Sequence, residues 1–196
     1  MSRTWRTDKQ GRIIVSDNGG AEYTPMATPV EQVMIDTGVA KYGPLFKHYA
    51  NEYGIPWTWL VAMAKRESGF NPNAQSYDGG WGLFQITDSG LKGGRTFEQL
   101  ANPATNTMVA ANYISGIVRR YGGDFPTVTA TFNAGSPRAD ASSPWNLHAT
   151  TDHIDDEVRT LNYTITKYDS RLMAGVGGGI IAVGIGYLFW QIGKRI

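Results

Sequence analysis

Apolar positions recur at helical spacing through the middle of the chain, and glycine-rich polar segments interrupt them. After Pro56, the residues Leu60, Met63, Ala64 and Glu67 fall at i, i+3, i+4 and i+7, one face of a helix. The first three are apolar, so that face points inward, and Glu67 stands where a fourth apolar residue is expected. Pro56 suits the first turn, where its missing N–H does no harm. The same pattern predicts an earlier helix over Pro44–Tyr53 stopped by Gly54, and later ones over Asn106–Tyr121, Phe125–Phe132 and residues 153–168. Residues 139–152 read as a loop. Residues 1–29 read as an irregular arm, with a hairpin around Lys9–Gly11 and the breaker cluster TPMATP at 24–29 closing it. The fold class is therefore mainly α, with one domain over residues 30–168.

The C-terminal end has a different pattern. Residues 172–193, LMAGVGGGIIAVGIGYLFWQIG, contain no charge. As a helix they would reach about 33 Å, enough for a hydrocarbon core of about 30 Å. Arg171 precedes the run, Lys194 and Arg195 follow it, and Tyr187 and Trp190 sit near one end, where an aromatic belt lies. The expectation is a single transmembrane helix anchored in a lipid bilayer; the alternative is a buried glycine-rich core helix. Gly175 and Gly179 open a small-residue face that suits self-association or contact with other membrane proteins. The N-terminus lacks the apolar stretch of a signal peptide.

Composition narrows the function. A formal net charge of +1 offers no electrostatic footprint for nucleic acid. The absence of cysteine excludes a thiol nucleophile, a disulfide scaffold and thiolate metal sites. No HExxH or GxSxG motif is present. His148 and His153 lie near Asp152, Asp155 and Asp156, and read as a solvated loop and helix start rather than a metal site. Glu67 is the remaining candidate. A partly desolvated carboxyl favours its neutral form, which a general acid requires at neutral pH. The alternative is a frayed helix end with Glu67 paired to Lys65 or Arg66 in solvent.

The residues after Glu67 tip this balance. Glu67, Ser68, Phe70, Pro72, Ala74, Ser76, Gly79, Gly82, Leu83 and Gln85 follow in register a pattern of Glu-Ser-x-Phe-x-Pro-x-Ala-x-Ser and Gly-Ala-x-Gly-Leu-Met-Gln. That pattern resembles the soluble lytic transglycosylases, the goose-lysozyme-like branch of the lysozyme superfamily. Gly80 and Phe84 replace the Ala and Met. Two later blocks also resemble the family. Asn102, Pro103, Asn106 and Tyr113 match one, with Ala110 for Gly; Asn133, Ala134 and Gly135 match the other, with Phe132 for the usual Tyr.

The resemblance implies a lysozyme-like domain that cleaves the β-1,4 bond between N-acetylmuramic acid and N-acetylglucosamine in peptidoglycan glycan strands. It implies no cofactor and no metal. Glu67 would protonate the glycosidic oxygen, then take the proton of the muramic acid 6-hydroxyl as a 1,6-anhydro ring closes. Ser68, Gln85 and Asn133 would hydrogen-bond the sugar or orient the acid. Gly79, Gly80 and Gly82 would let backbone approach the glycan. Trp81, Tyr77 and Phe84 offer stacking faces, and Tyr113 completes the expected binding set. Phe132 lacks the hydroxyl that the family places near the acid. Two other outcomes stay open: a hydrolytic muramidase using Asp78 or Asp88, and a mainly structural membrane or tube protein. The anchor and the wall substrate together suggest a bacteriophage virion with an internal membrane, opening the wall locally as the genome is delivered. The alternative is a bacterial inner membrane with the domain facing the periplasm.

Overall fold

The computed structural model describes residues 3–17, 19–87, 89–134 and 144–169. The N-terminus forms an antiparallel hairpin, β1 (Arg3–Thr7) and β2 (Ile13–Asp17), with Trp5 opposite Val15 and Thr7 opposite Ile13. Asp8 shapes the turn: its carboxylate accepts the N–H groups of Gln10 and Arg12, both at 2.9 Å, and Gly11 adopts φ +87°. The expected hairpin is present, but the arm is not irregular and belongs to the core. Ile13 and Val15 are buried. Asn162 bonds both backbone groups of Ile13, accepting its N–H at 2.7 Å and donating to its carbonyl at 2.9 Å.

Helix α1 (Pro29–Tyr53) begins with a capping box between Thr28 and Glu31 and ends at Gly54 in the left-handed region. The expected start at Pro44 is corrected: Pro44 lies inside one long helix. Ile35, Gly38, Tyr42, Phe46 and Ala50 form an unbroken buried stripe, while Pro44 and Ala40 are exposed. The carbonyl that Pro44 leaves unpaired therefore faces water, and packing along the stripe offsets the lost bond.

Helix α2 (Trp57–Ser68) is buried from Thr58 to Ala64, wider than the single predicted face. Two short helices follow, α3 (Ser89–Lys92) and α4 (Phe97–Ala101). Helix α5 (Pro103–Tyr121) starts three residues before its predicted start, because the Asn102 side chain caps it through the N–H groups of Ala104 and Thr105. Then come α6 (Phe125–Ala134) and α7 (Pro144–Tyr168). The loop expected over 139–152 is corrected in part, since residues 144–152 belong to α7. Ile154, Val158, Leu161 and Ile165 of α7 are buried at helical spacing, and polar Glu157, Thr160, Asn162 and Thr164 are buried beside them. α7 thus runs through the interior against α1, α2, α6 and β2. The mainly α expectation holds. No helix among the described residues is long and apolar enough to cross a membrane; residues 172–193 lie outside them.

Candidate functional site

Glu67 sits in the last turn of α2, with its side chain 15% exposed. The helix stops there for local reasons. Gly69 adopts φ +59° and Phe70 φ +65°, and the Phe70 N–H reaches back to the carbonyl of Ala64 at 3.2 Å. The Phe70 ring lies against Gly38 of α1, where a Cβ would stand 2.5 Å from it. A two-helix contact thereby fixes the backbone just after the acid.

The segment after Phe70 folds into a small hairpin. Gln75 pairs with Trp81, and Ser76 N–H donates to the carbonyl of Gly80 at 3.0 Å. Gly80 N–H donates to the Ser76 hydroxyl at 2.8 Å, and that hydroxyl donates to Asp78. Asp78 is thus tied into its own turn, and the Ser76 bond holds its carboxyl below the usual range. Asp88 lies outside the described residues. Tyr77 is fully exposed at the hairpin tip.

Buried Asn106 on α5 fixes the far strand. Its Oδ1 accepts the Phe84 N–H at 2.8 Å, and its Nδ2 donates to the carbonyls of Trp81 and Leu100, both at 2.9 Å. Gly82, at φ +77°, leaves the room this amide needs.

The other predicted site residues take varied places. Ser68 Oγ donates to the carbonyls of Ala64 (3.2 Å) and Leu83 (2.9 Å), clipping the end of α2 to the hairpin. Gln85, at φ +45°, donates to the carbonyls of Gly82 (2.8 Å) and Ala74 (3.2 Å). Trp81 is half-buried, edge-on to Phe97 with Lys92 Nζ 4.4 Å from its ring centre. Asn133 is exposed near the end of α6, and Gly135 lies outside the described residues. Tyr113 is half-buried, 5.8 Å from the Phe132 ring. Phe84 is corrected: it is fully buried against Phe46 and offers no face to a sugar. A cavity of about 440 Å³ opens between α1 and Gly69-Phe70, but none of the predicted site residues lines it.

The sequence reading missed the partner of Glu67. His153 is not at a solvated helix start; it is buried inside α7, with Nε2 3.1 Å from Glu67 Oε1 and 3.1 Å from Glu157 Oε1. Burial works to lower His153, but its bonds to Glu157 and Glu67 outweigh this and raise it to about 9. Glu157 is fully buried, and desolvation pushes its carboxyl up against the opposing pull of His153. A His-x-x-x-Glu pair just ahead of the apolar spacing of Val158, Leu161 and Ile165 was the available signal. The last turn of a helix is electrostatically poor for a carboxylate, and an imidazole beside it offsets this.

Lys65 and Arg66 pair elsewhere than with Glu67. Lys65 Nζ bonds Asp156 at 2.6 Å and Glu31 at 3.3 Å, while Arg66 Nε points at His153 Nδ1 from 3.4 Å. Donor atoms of Glu67, His153 and Glu157 lie within 4.8 Å of one another, close enough for a metal. Nε2, however, lies between the two carboxylates, and the hydrogen it shares with them occupies the place where a metal would have to bind.

Residues 44–144 match the transglycosylase SLT domain. Over 106 residues the chain is 30% identical to the soluble lytic murein transglycosylase of Escherichia coli (strain K12), covering 50% of this chain and 16% of that protein. It is 37% identical over 92 residues to membrane-bound lytic murein transglycosylase F of Shewanella sediminis, covering 47% and 18% of the two chains. It is 30% identical over 139 residues to membrane-bound lytic murein transglycosylase C of Histophilus somni, covering 58% and 38%. The match thus spans 16% to 38% of the length of these relatives. With more than half of its residues inside the matching domain, this chain belongs to the transglycosylase SLT domain family.

Proposed function

We propose that the chain is a peptidoglycan lytic transglycosylase in which Glu67 acts first as acid and then as base. The observation that carries this reading is the position of Glu67: a slightly exposed carboxyl at the end of a buried helix, facing an imidazole and followed by the glycine-rich hairpin. The acid step breaks the bond between the anomeric carbon and the glycosidic oxygen. The muramic acid 6-hydroxyl then attacks that carbon and returns a proton to Glu67, so the product is 1,6-anhydromuramic acid and no water is consumed. A hydrolytic route needs a second carboxylate to hold water or form a covalent intermediate. Asp78 is engaged by Ser76, and Glu157 is fully buried behind His153, which favours the route with one acid.

Glu67→Gln keeps the shape but can neither give nor take the proton. Purified peptidoglycan treated with the full chain should release anhydromuropeptides, and Glu67→Gln should lose about a hundredfold or more. Mass spectrometry separates anhydro from reducing ends by one water. Wild-type turnover in a folded Glu67→Gln variant would remove the assignment, and mainly reducing ends would replace it with hydrolysis.

For residues 172–193 the sequence supports a bilayer anchor, and two of the relatives are themselves named membrane-bound. An anchored wall-cleaving domain fits a phage virion with an internal membrane, opening the wall during genome delivery. Full-length protein should resist carbonate extraction from membranes, and a chain ending at Ser170 should not. Extraction of both alike would exclude the anchor and the virion setting with it.

A further inference from the structure

We propose that His153 and Glu157 are positioning residues that hold a proton in reserve for Glu67, so that the acid is loaded from inside the protein rather than from solvent. This rests on the glycosidic-bond reading above. It begins with the placement of Nε2 of His153, 3.1 Å from a carboxylate oxygen on each side. Two such oxygens cannot share that atom comfortably unless it bears a hydrogen. Glu157 supplies the second half of the argument. It is fully buried, and its other oxygen, Oε2, has no partner among the described residues. An ionised carboxylate in that position is expensive, and a further proton in the trio removes the cost. That proton rests on Nδ1 of His153, so that the ring stays neutral when Nε2 gives its hydrogen to Glu67. A hydrogen on Nδ1 requires Arg66, whose side chain is 40% exposed, to give up its 3.4 Å contact with that atom.

The charges around the trio leave this proton in place. On α2 and α7, Lys65 and Arg159 are both held by Asp156 and by Glu31 of α1, at 2.6 to 3.3 Å. These two cations and two acids satisfy one another. Arg66 Nη1 is 3.9 Å from Asp156. Half-buried Asp155 also lies on α7. α6, packed on α7, contributes no titratable side chain. Glu67 and Glu157 are thus the acids that bear directly on His153.

The cycle balances. The hydrogen on Nε2 passes to Oε1 of Glu67, and His153 keeps the proton on Nδ1. Glu67 gives its proton to the glycosidic oxygen as the bond to the anomeric carbon breaks. The 6-hydroxyl oxygen bonds to that carbon and its proton moves to Glu67, then back to Nε2. Nothing is exchanged with water during the turnover. The arrangement also accounts for Phe132, which cannot supply a hydroxyl to the acid: the polar contact comes from α7 instead.

The test uses the full chain in detergent, with peptidoglycan cleavage followed from pH 4 to pH 10. For His153→Gln, kcat should fall about a hundredfold at neutral pH with KM little changed. The alkaline limb of kcat/KM, near pH 9 in the wild type, should move at least two units lower. Glu157→Gln should move it by about one unit in the same direction. A limb that stays in place in a folded His153→Gln variant overturns the proposal, because a merely structural role would lower the rate without moving the profile. A second measurement needs neither activity nor that variant's fold. Ring resonances of labelled histidine should show His153 titrating well above pH 8 in the wild type and at least one unit lower in Glu67→Gln. Titration near 6.5, or no response to Glu67→Gln, also overturns it. A chain that cleaves nothing, yet whose His153 shows this coupling to Glu67, removes the glycosidic reading and leaves the proton-sharing trio standing.

Discussion

The side-chain amide of Asn106 fills the space that any side chain at Gly82 would need. A Cβ on Gly82 would stand 2.3 Å from Asn106 Nδ2 and 2.5 Å from the carbonyl of Leu100. The left-handed φ of +77° adds its own penalty for a residue with a Cβ. The Asn106 amide cannot simply move, because it satisfies three backbone groups at once, two of them buried.

Gly82→Ala should therefore destabilise the fold by about 2–4 kcal/mol, the sum of overpacking and backbone strain. Urea unfolding measures this as a lower midpoint at unchanged slope. The hairpin that carries Trp81 is pinned by the same amide, so cleavage should also fall. A variant with wild-type stability would mean that the contact between hairpin and α5 is loose.

Asn162 makes a parallel prediction at the other end of the chain. Its amide accepts the Ile13 N–H and donates to the carbonyls of Ile13 and Pro25, at 2.7 to 2.9 Å. Asn162→Ala leaves three backbone groups without their partner and should cost about 3 kcal/mol or more. Deleting residues 1–24 should cost at least as much, since it also uncovers the surface against which Ile13 and Val15 pack. Thermal unfolding of either variant at the wild-type midpoint would return the hairpin to the status of a dispensable arm.

These contacts show what was legible in the sequence and what was not. The buried face of α2 was legible because the apolar spacing of Leu60, Met63 and Ala64 is a local signal. Gly82 and Asn106 were legible as motif residues, but not as partners, since 24 positions separate them. The start of α1 was missed because Pro44 looks like a breaker, and only the continuity of the buried stripe through Phe46 overrides it. His153 was misread for a related reason. Near three aspartates it looks hydrated, and nothing local says that α7 passes through the interior. Phe84, read as a ligand face, is core for the same reason: burial is set by the whole fold.

The last prediction concerns stability against pH. His153 is raised from 6.5 to about 9, so the folded state binds its proton more tightly than the unfolded chain does. Its contribution is complete below about 6.5 and is lost as pH rises through about 9, a span worth up to about 3 kcal/mol. Glu157, whose carboxyl burial pushes up, adds a loss that starts sooner, as pH rises above the ordinary value of 4.5, because ionising it inside the fold costs free energy. Glu31 governs the other end. Burial works upward on it, but bonds from Thr28 and Lys65 outweigh this and lower it from 4.5 to about 2. Its contribution is present above about 4.5 and lost as pH falls toward 2. The melting temperature should therefore be highest near pH 5, ease off toward pH 7, and drop by several degrees between pH 7.5 and 10. In His153→Gln the alkaline drop should shrink, while the acid limb set by Glu31 should stay where it is. A wild-type melting temperature that holds or rises to pH 10 would mean that His153 carries no extra proton in the folded protein.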